Sequence, residues 1–179
     1  MTPFSHTIFD TRLGPAVIAA TGGGIIRLDL PAPDPDELVA EVARSSGLVP
    51  GEAGSRAEGT IDRAIEAVDS FLEGESIAIE VDVDWRLVAG FTRRVLQATV
   101  DIPYGETRSY GEIAIEAGSP GAHRAAGSAL SRNPVALIVP CHRVIRGDGD
   151  PGDYGRGSEG RELKRGLLAL ESDGIRPCG

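Results

Sequence analysis

Residues 135–145 read VALIVPCHRVI, a run that joins an apolar segment to a cysteine flanked by basic side chains. The first five residues are apolar and mostly branched, a composition typical of a buried strand. Cys141 then stands beside His142 and Arg143. Because the thiolate is the reactive form of cysteine and neighbouring bases and cations favour it, Cys141 is a candidate nucleophile. The alternative is that Cys141 is simply a small buried hydrophobic residue, as most free cysteines are.

Two short helices joined by a tight turn are predicted between residues 109 and 131. Ser109 and Glu112 follow the Ser-x-x-Glu pattern of a capping box, which predicts a helix that stops at Gly118. Ser119 is expected to cap the second helix, with a proline at its first position. Such a pair is typical of a helix-turn-helix motif, although many helix pairs of this kind are purely structural.

Three ordered blocks of the sequence resemble one protein family. The block PCHRV, residues 140–144, resembles the active-site signature of the O6-alkylguanine-DNA alkyltransferases, also called methylated-DNA–protein-cysteine methyltransferases. The block IPYGETRSYGEIA, residues 102–114, is similar to the family's lead-in to its DNA-binding motif. Asn133 and Pro134 stand where the family's asparagine hinge is expected. The resemblance runs from about Phe91 to Glu171, close to half of the chain.

The resemblance implies two domains. The first is an α/β N-terminal domain with a small ribonuclease-H-like sheet and helices, which we place at residues 1–86. The second is a mainly α C-terminal domain at residues 87–179, with a helix-turn-helix at about 109–131 and the active-site segment at 135–145. The first half carries no recognisable chemistry, so we expect it to act as a scaffold.

The resemblance also implies the activity, that of a methylated-DNA–[protein]-cysteine S-methyltransferase. Such a protein repairs DNA by direct transfer of a methyl or other alkyl group from O6-alkylguanine, and from O4-alkylthymine, to its cysteine. The damaged base must first be flipped out of the duplex, because no side chain fixed in a protein surface reaches it in the stack. No cofactor is required. The product is a stable thioether, so each molecule is expected to react once.

Catalytic and supporting roles follow from the resemblance. His142 accepts the proton of the Cys141 thiol, through a water molecule, and Glu171 orients and charge-balances the imidazole. A carboxylate beside a histidine raises its basicity, which is why this arrangement is useful. Asn133 ties the helix-turn-helix to the active-site strand, and Arg143 supports the site without reacting.

DNA contacts are assigned by the resemblance to the second helix and to the loop after the active-site segment. The second helix enters the minor groove, and Arg124 fills the gap left by the extruded nucleotide. Tyr110 meets the flipped base and helps to rotate its phosphate. The expected DNA- or base-binding residues are Tyr110, Arg124, Ser128, Arg132, Val144, Gly152, Tyr154 and Gly155. Two alternatives stay open: the alanine-rich second helix can be a core helix, and Tyr154 can be either pocket wall or core.

The charge distribution indicates which half faces DNA. The formal net charge is −9. Residues 1–86 hold 16 acidic and 6 basic side chains, a net charge of −10, whereas residues 87–179 hold 11 and 12, a net charge of +1. Any phosphate-facing surface is therefore expected in the second half. We expect a monomer whose partner is double-stranded DNA with alkylated guanine.

The sequence contains no long apolar segment and few residues that could bind a metal. No run of about 18 apolar residues and no leader pattern is seen, so we expect no membrane contact and a cytoplasmic location. Cys141 and Cys178 are then expected to be free thiols. His6 is the only histidine of the first half, and the cysteine and histidine ligands with which some relatives hold zinc are missing there. We predict no metal.

The remaining elements follow from periodicity and turn residues. Strands are predicted at 6–9, 16–20, 25–30 and 77–83, helices at 36–44, 60–72 and 91–99, a flexible loop at 47–59 and a turn at 103–106. Thr60 is expected to cap the helix that begins there. The run Gly22–Gly24 is interpreted as a turn and not as a phosphate loop, because no lysine follows it.

Two other functions are alternatives to alkyl transfer. A lesion sensor would bind alkylated guanine without repair, but relatives of that kind carry tryptophan in place of the cysteine, so Cys141 favours transfer. A cysteine hydrolase would use Cys141, His142 and Glu171. Neighbouring side chains on an extended chain point to opposite faces, so Cys141 and His142 can cooperate only if the backbone turns at Pro140 or a water intervenes.

Overall fold

The structure is a computed structural model that describes residues 2–155 and 157–174. It divides into two compact units. The first comprises the described residues of Met1–Leu72, with Ile79–Leu87 and Pro134–Ile138, and the second those of Glu73–Ala78, Val88–Asn133 and Val139–Gly179. This division differs from a single boundary after residue 86 in the short segments 73–78 and 134–138. Cys178, expected to be a free thiol, lies outside the described residues.

The first unit is built on a four-stranded mixed sheet. Its strands are β1 (Pro3–Thr11), β2 (Gly14–Thr21), β3 (Gly24–Asp29) and β4 (Val49–Pro50). The sheet order is β3-β2-β1-β4, with β1, β2 and β3 antiparallel and β4 parallel to β1. The turn Gly22–Gly23 joins β2 to β3, which confirms the expected turn and the first three strands. Gly24 is required there, because its φ is +131° and a Cβ would stand 2.5 Å from the Asp82 carbonyl oxygen.

Two helices pack on this sheet, namely α1 (Pro35–Ser46) and α2 (Ser55–Leu72). All residues of β2 from Ala16 to Thr21 are buried, as expected of a strand covered on both faces. Phe4, Ala19, Ile26 and Val42 form an apolar cluster between α1 and the strands. The expected helix at 36–44 is thereby confirmed, slightly extended at both ends.

Three sequence-based expectations for the first unit were wrong. Helix α2 begins at Ser55 and not at Thr60, whose hydroxyl donates to the Arg56 carbonyl from inside the helix. The helix starts earlier because buried Ala57 extends its apolar stripe. The loop expected at 47–59 therefore ends at residue 54, and Val49–Pro50 within it form β4, so the expectation of a loop was wrong there too. Residues 77–83 form no strand. Their end meets β3 at one point, where the Ile25 N–H donates to the Asp82 carbonyl and the Asp84 N–H donates to the Ile25 carbonyl. Alternation without a continuous hydrogen-bonding partner leaves this run as a loop.

The second unit consists mainly of helices. They are α3 (Gly90–Val100), α4 (Tyr110–Glu116), α5 (His123–Leu130) and α6 (Gly157–Ser172), with a parallel pair of short strands, β5 (Arg108–Ser109) and β6 (Val144–Ile145). Helix α3 packs on α4 and α5, and its Arg94 side chain donates to the Ala117 carbonyl at 2.9 Å. The turn at 103–106 is confirmed by the Glu106 N–H bond to the Pro103 carbonyl.

Helix α4 begins as its sequence predicts, whereas α5 does not. The Ser109 hydroxyl accepts from the Glu112 N–H at 3.2 Å and the Glu112 carboxylate accepts from the Ser109 N–H at 2.7 Å, a complete capping box. The start of α5 was expected just after Ser119, but its first residue is His123. Gly121 has a φ of +82°, which interrupts any helix that would begin at Pro120.

The apolar run before Cys141 is buried but is not a continuous strand. Val135 and Ala136 pair with Leu28 of β3, and the chain then turns. Leu137 has a left-handed φ of +63°, and the Ile138 N–H donates to the Ala136 carbonyl. The expectation of a strand was therefore wrong, because an apolar run predicts burial and does not by itself distinguish a strand from a buried turn.

Candidate active site

Cys141 lies in a single 3-10 turn, Cys141–Arg143, that follows Pro140. Pro140 has φ −78° and ψ 60°, and the Arg143 N–H donates to its carbonyl at 2.9 Å. The backbone thus turns at Pro140, which is one of the two conditions under which neighbouring cysteine and histidine side chains can cooperate. Cys141 keeps part of its surface exposed, whereas His142 is fully buried.

The Cys141 sulfur is held by side chains from two segments. Asn133 follows α5, and its Nδ2 donates to the Val139 carbonyl at 3.0 Å and to Cys141 Sγ at 3.1 Å. The Tyr154 hydroxyl also bonds to this sulfur. Burial raises the pKa of the Cys141 thiol, while the bonds from Asn133 and Tyr154 and the charge of Lys164 oppose that rise. The site therefore contains donors that favour the thiolate once the proton has been removed.

His142 is paired with Glu171 of α6 inside the protein. Nε2 of His142 lies 2.7 Å from Oε1 of Glu171. Burial would raise the pKa of Glu171, but its bonds with His142 and Gly105 and the charge of Arg143 lower it overall. The carboxylate is thus ionised near neutral pH and only accepts, so Nε2 carries a proton and Nδ1 is the basic nitrogen of a neutral ring. Burial lowers the pKa of His142, which keeps the imidazole neutral.

The same carboxylate also binds Arg143. Nε of Arg143 donates to both Glu171 oxygens at 3.0 Å, and Nη1 donates to the Ile102 carbonyl at 2.7 Å. The Gly105 N–H donates to Oε2 of Glu171 at 2.9 Å. The bond to Glu171 fixes the orientation and tautomer of the His142 ring, and the bond and charge of the carboxylate oppose the fall that burial causes in the pKa of His142.

Tyr110 and Gly152, which follows the active-site segment in the chain, lie near the thiol. The pairing of Arg108 with Val144 in β5 and β6 brings the start of α4 to the active-site turn. Burial raises the pKa of the Tyr110 hydroxyl, and the charge of Cys141 raises it further. Gly152 is buried and so close to Tyr110 that an added Cβ would stand 3.4 Å from the hydroxyl oxygen.

Val144 directly follows the active-site turn and is buried, whereas most of the other expected DNA-binding residues are exposed. Arg124 and Ser128 are exposed on α5, with Ala126 and Ala129 buried on its opposite side, and Arg132 is exposed just beyond the helix. This burial pattern argues against α5 being a fully buried core helix. In the loop, Gly155 is exposed, and its neighbour Arg156 is outside the described residues.

Three groups of the site were missed in the sequence. They are Lys164, whose Nζ donates to the Val144 carbonyl at 2.6 Å, and the main-chain groups of Gly105 and Ile102 that hold Glu171 and Arg143. Main-chain donors and acceptors leave no residue-type signal in a sequence. Lys164 did leave one, since it is the only lysine and stands seven residues, about two helical turns, before Glu171 on the same helix.

The chain is similar to known proteins over most of its length. The family model of the 6-O-methylguanine DNA methyltransferase DNA-binding domain matches residues 90–173. The chain is 43% identical over 166 residues to a methylated-DNA–protein-cysteine methyltransferase of Mycobacterium leprae, covering 90% of this chain and 87% of that protein. The chain is also 34% identical to a protein of the same name from Methanosarcina barkeri, and the matched region covers 99% of that protein. The crystal structure of Mycobacterium tuberculosis OGT in complex with DNA matches 98% of this chain and 96% of its own, with a TM-score of 0.74 and 34% identity.

The fold and the site thus define a two-unit protein with a cysteine held in a turn, next to a histidine that is paired with a buried glutamate. The chain belongs to the methylated-DNA–protein-cysteine methyltransferase family. Within the described ranges, no cluster of three or more histidine, cysteine, aspartate or glutamate side chains could hold a metal ion. Nor does that part of the chain contain a helix long and apolar enough to cross a membrane.

Proposed function

We propose that this protein repairs alkylated DNA by transferring the alkyl group of O6-alkylguanine directly and stoichiometrically to Cys141. The observation that carries the proposal is the arrangement of Cys141 and His142 in one turn, with Nε2 of His142 2.7 Å from Glu171. Membership of the methyltransferase family supports the same reaction. Transfer from O4-alkylthymine is a further part of the proposal.

The reaction begins with the thiol proton. His142 accepts it at Nδ1, through a bridging water, while Nε2 stays bonded to Glu171. The Cys141 sulfur then attacks the alkyl carbon, the carbon–O6 bond breaks, and its electron pair leaves with guanine. The departing base takes up one proton, which balances the proton that His142 accepted from the thiol. The resulting thioether is not reversed by any group of the site. In this proposal the Tyr110 hydroxyl, whose pKa is raised by burial and by the charge of Cys141, donates to the departing base.

Helices α4 and α5 act in this proposal as a helix-turn-helix whose second helix enters the minor groove. Arg124 and Ser128 share the exposed face of α5, and the small side chains along this helix allow close approach to DNA. Arg124 fills the space of the flipped nucleotide, and Arg132 contacts a phosphate. Asn133 joins this motif to the thiol, since its amide bonds to Cys141 directly after α5 ends.

The N-terminal unit is a ribonuclease-H-like scaffold in this proposal. Three antiparallel strands followed by a helix and a strand parallel to β1, in the order β3-β2-β1-β4, support that assignment. Its acidic excess is expected to face away from the phosphate backbone. A monomeric state and a cytoplasmic location stay predictions from the sequence.

The proposal is tested by intact-mass analysis after incubation with a duplex that carries one O6-methylguanine. We expect one added methyl group per molecule, located on the Cys141 peptide, and no second turnover. Cys141→Ala should abolish transfer while leaving binding to the methylated duplex within a few-fold, because phosphate and groove contacts carry affinity. The matched control Cys178→Ser should react like the wild type. Multiple turnover would identify a hydrolase, and binding without transfer would identify a lesion sensor.

A further inference from the structure

The loop of residues 146–155 leads from the active-site turn towards α6, and one of its side chains reaches back to the thiol. The Tyr154 hydroxyl bonds to the sulfur of Cys141. Tyr154 therefore bounds the space beside the sulfur, where an alkyl group has to enter. The contacts that hold this part of the loop in place also determine how large an alkyl group the thiol can accept.

The sequence of this loop does not by itself favour one conformation. Four of its ten residues are glycine, and three of these glycines have a positive φ. Such a segment loses much conformational entropy when it becomes ordered. Local bonds order its first half, since the Arg146 N–H donates to the Asp150 carbonyl at 2.8 Å and the Gly152 N–H donates to the Asp150 carboxylate at 2.7 Å. The second half, which carries Tyr154, is held by contacts with α6.

Two adjacent residues of α6, Gly160 and Arg161, make these contacts. Gly160 is buried against the loop backbone, and a Cβ added to it would overlap the Tyr154 carbonyl oxygen. The Arg161 guanidinium donates to the Asp153 carboxylate at 2.9 Å and lies 3.8 Å from that of Asp150. The bond from Arg161 holds the pKa of Asp153 below its usual range. One arginine thus joins both halves of the loop to the helix.

The next arginine of α6 shows how Arg161 differs from an ordinary surface charge. Arg165 pairs with Glu162, three residues before it on the same helix, so this pair connects no second segment to α6. Arg161 pairs instead with Asp153, eight residues away in the loop. Arg146, at the other end of the loop, also lies 3.7 Å from Asp153. Charges that form a network contribute more than isolated surface pairs do.

We propose that Arg161 is a specificity-determining residue, which binds the loop to α6 and thereby restricts the Cys141 thiol to small alkyl groups. Its ion pairs are accessible to solvent, since the side chains of Arg161, Asp150 and Asp153 are 35%, 36% and 79% exposed. Each pair is therefore partly screened, and the loop can be released at a modest cost. This inference rests on the proposed function and adds to it the size of the alkyl group that is transferred.

The first test measures access to the thiol without DNA or guanine. In a Cys178→Ser background, Cys141 is alkylated in parallel with iodoacetamide, a small reagent, and with N-phenylmaleimide, a bulky one, and intact mass gives both rates. The ratio of the two rates cancels any change in the pKa of the thiol, because both reagents react with the thiolate. Arg161→Gln should raise the ratio of the bulky to the small reagent about three- to tenfold, the shift in loop population expected from the loss of two partly exposed ion pairs. Arg161→Lys keeps the charge and should restore most of the wild-type ratio.

Two further variants show whether the effect belongs to the ion pairs. Arg165→Gln is the matched control on α6 and should leave the ratio unchanged. Asp153→Asn should raise the ratio, and its combination with Arg161→Gln should add little to the larger single effect, because both changes remove the same bond. The inference is overturned if folded Arg161→Gln has the wild-type ratio, or if Arg165→Gln raises the ratio equally.

Salt gives a test that needs no variant to fold. Between about 0.05 and 1 M NaCl the ratio of the wild type should rise towards that of Arg161→Gln, because salt screens exposed ion pairs. The ratio of Arg161→Gln should stay constant. A wild-type ratio that does not respond to salt would overturn the inference.

The second test uses the proposed reaction. Transfer to Cys141 from free O6-benzylguanine is compared with transfer from free O6-methylguanine, since free bases carry no phosphate that an arginine could bind. Arg161→Gln should favour the benzyl over the methyl group by about the same three- to tenfold factor. An unchanged preference would overturn the inference. If the wild type accepts neither group, from free bases or from duplex DNA, while the reagent ratios change as expected, the result would count against the proposed function and support the role of Arg161.

Discussion

Glu171→Gln should destabilise the protein strongly, although it replaces only one carboxylate oxygen by an NH2 group. The Glu171 side chain is 1% exposed, and its two oxygens together face His142 Nε2, the Gly105 N–H and Arg143 Nε. A glutamine offers one oxygen and one NH2 group. If the NH2 group replaces Oε2, it faces the Gly105 N–H; if it replaces Oε1, it faces Arg143. Either orientation leaves a buried donor unsatisfied and removes the charge that balances Arg143.

The expected loss of unfolding free energy is about 3–5 kcal/mol, the range observed when one partner of a buried ion pair is removed. A domain of this size loses about 2–4 °C of melting temperature per kcal/mol, so a decrease of roughly 6–20 °C is expected. Thermal and urea unfolding followed by circular dichroism measure both quantities. Glu162→Gln is the control, because Glu162 lies on the same helix, is 74% exposed and pairs with Arg165 on the surface. Its effect should stay within about 0.5 kcal/mol.

The pH dependence gives the same prediction an independent check. The folded pKa of Glu171 is lowered, so its contribution is complete above the unfolded value near 4.5 and is lost as the pH falls through the folded pKa. The folded pKa of His142 is also lowered, so protonation below its ordinary value of 6.5 favours the unfolded chain. Wild-type stability should therefore fall with acidification, and Glu171→Gln should show a shallower fall at the acidic end. A variant within 1 kcal/mol of the wild type, with unchanged pH dependence, would refute the reasoning.

Three further predictions concern the proposed DNA-binding face and the N-terminal unit. Arg124→Ala should slow repair of duplex DNA far more than transfer from the free alkylguanine base, where nothing is flipped; equal losses would remove Arg124 from flipping. Arg132→Ala should instead weaken duplex binding modestly and reduce its salt dependence by about one counterion. The Asp84 carboxylate accepts hydrogen bonds from Arg86 and, at 2.6 Å, from the Thr21 hydroxyl. These bonds, that of Arg86 above all, lower the pKa of Asp84 from 3.8 to about 2. Asp84→Asn should cost about 1–2 kcal/mol in urea unfolding at neutral pH, below the unscreened value of about 2.4, because Arg86 is 72% exposed. That contribution should vanish as the pH falls from about 4 towards 2, and a variant as stable as the wild type would show the pair to be fully screened.

Local chemistry made several elements predictable. The Ser109–Glu112 capping box involves groups three residues apart, so the sequence contains both partners and the start of α4 follows from them. The first hairpins are predictable for the same reason, because glycine turns and apolar runs adjoin in the chain. Cys141 was recognised as a candidate nucleophile from its basic neighbours, whereas the roles of His142 and Glu171 were implied by the family resemblance.

Other features depend on contacts that are remote in the chain. Leu137 turns out of the expected strand while its apolar neighbours stay buried, and an apolar pattern does not encode that choice. The stretch 77–83 alternates like a strand, yet it meets β3 through an isolated bridge at Ile25 and not through a continuous ladder. Helix α5 begins at His123 because Gly121 takes a left-handed conformation. The Ser119–Pro120 pair predicted an earlier start, since it contains no information on the conformation of Gly121.

The active site shows the same distinction between residue identity and residue environment. The sequence contains the thiol, the imidazole and the carboxylate in recognisable order, because nucleophile, base and orienting acid require those side chains. It does not contain the distances, and protonation states in a buried site depend on distances and burial. Only the folded chain brings Arg143 to the carboxylate that also holds His142, and only there does Lys164 become a buried cation beside Cys141. These charges interact across 20 to 30 residues of sequence, and folding brings them within a few ångströms in a medium of low dielectric constant.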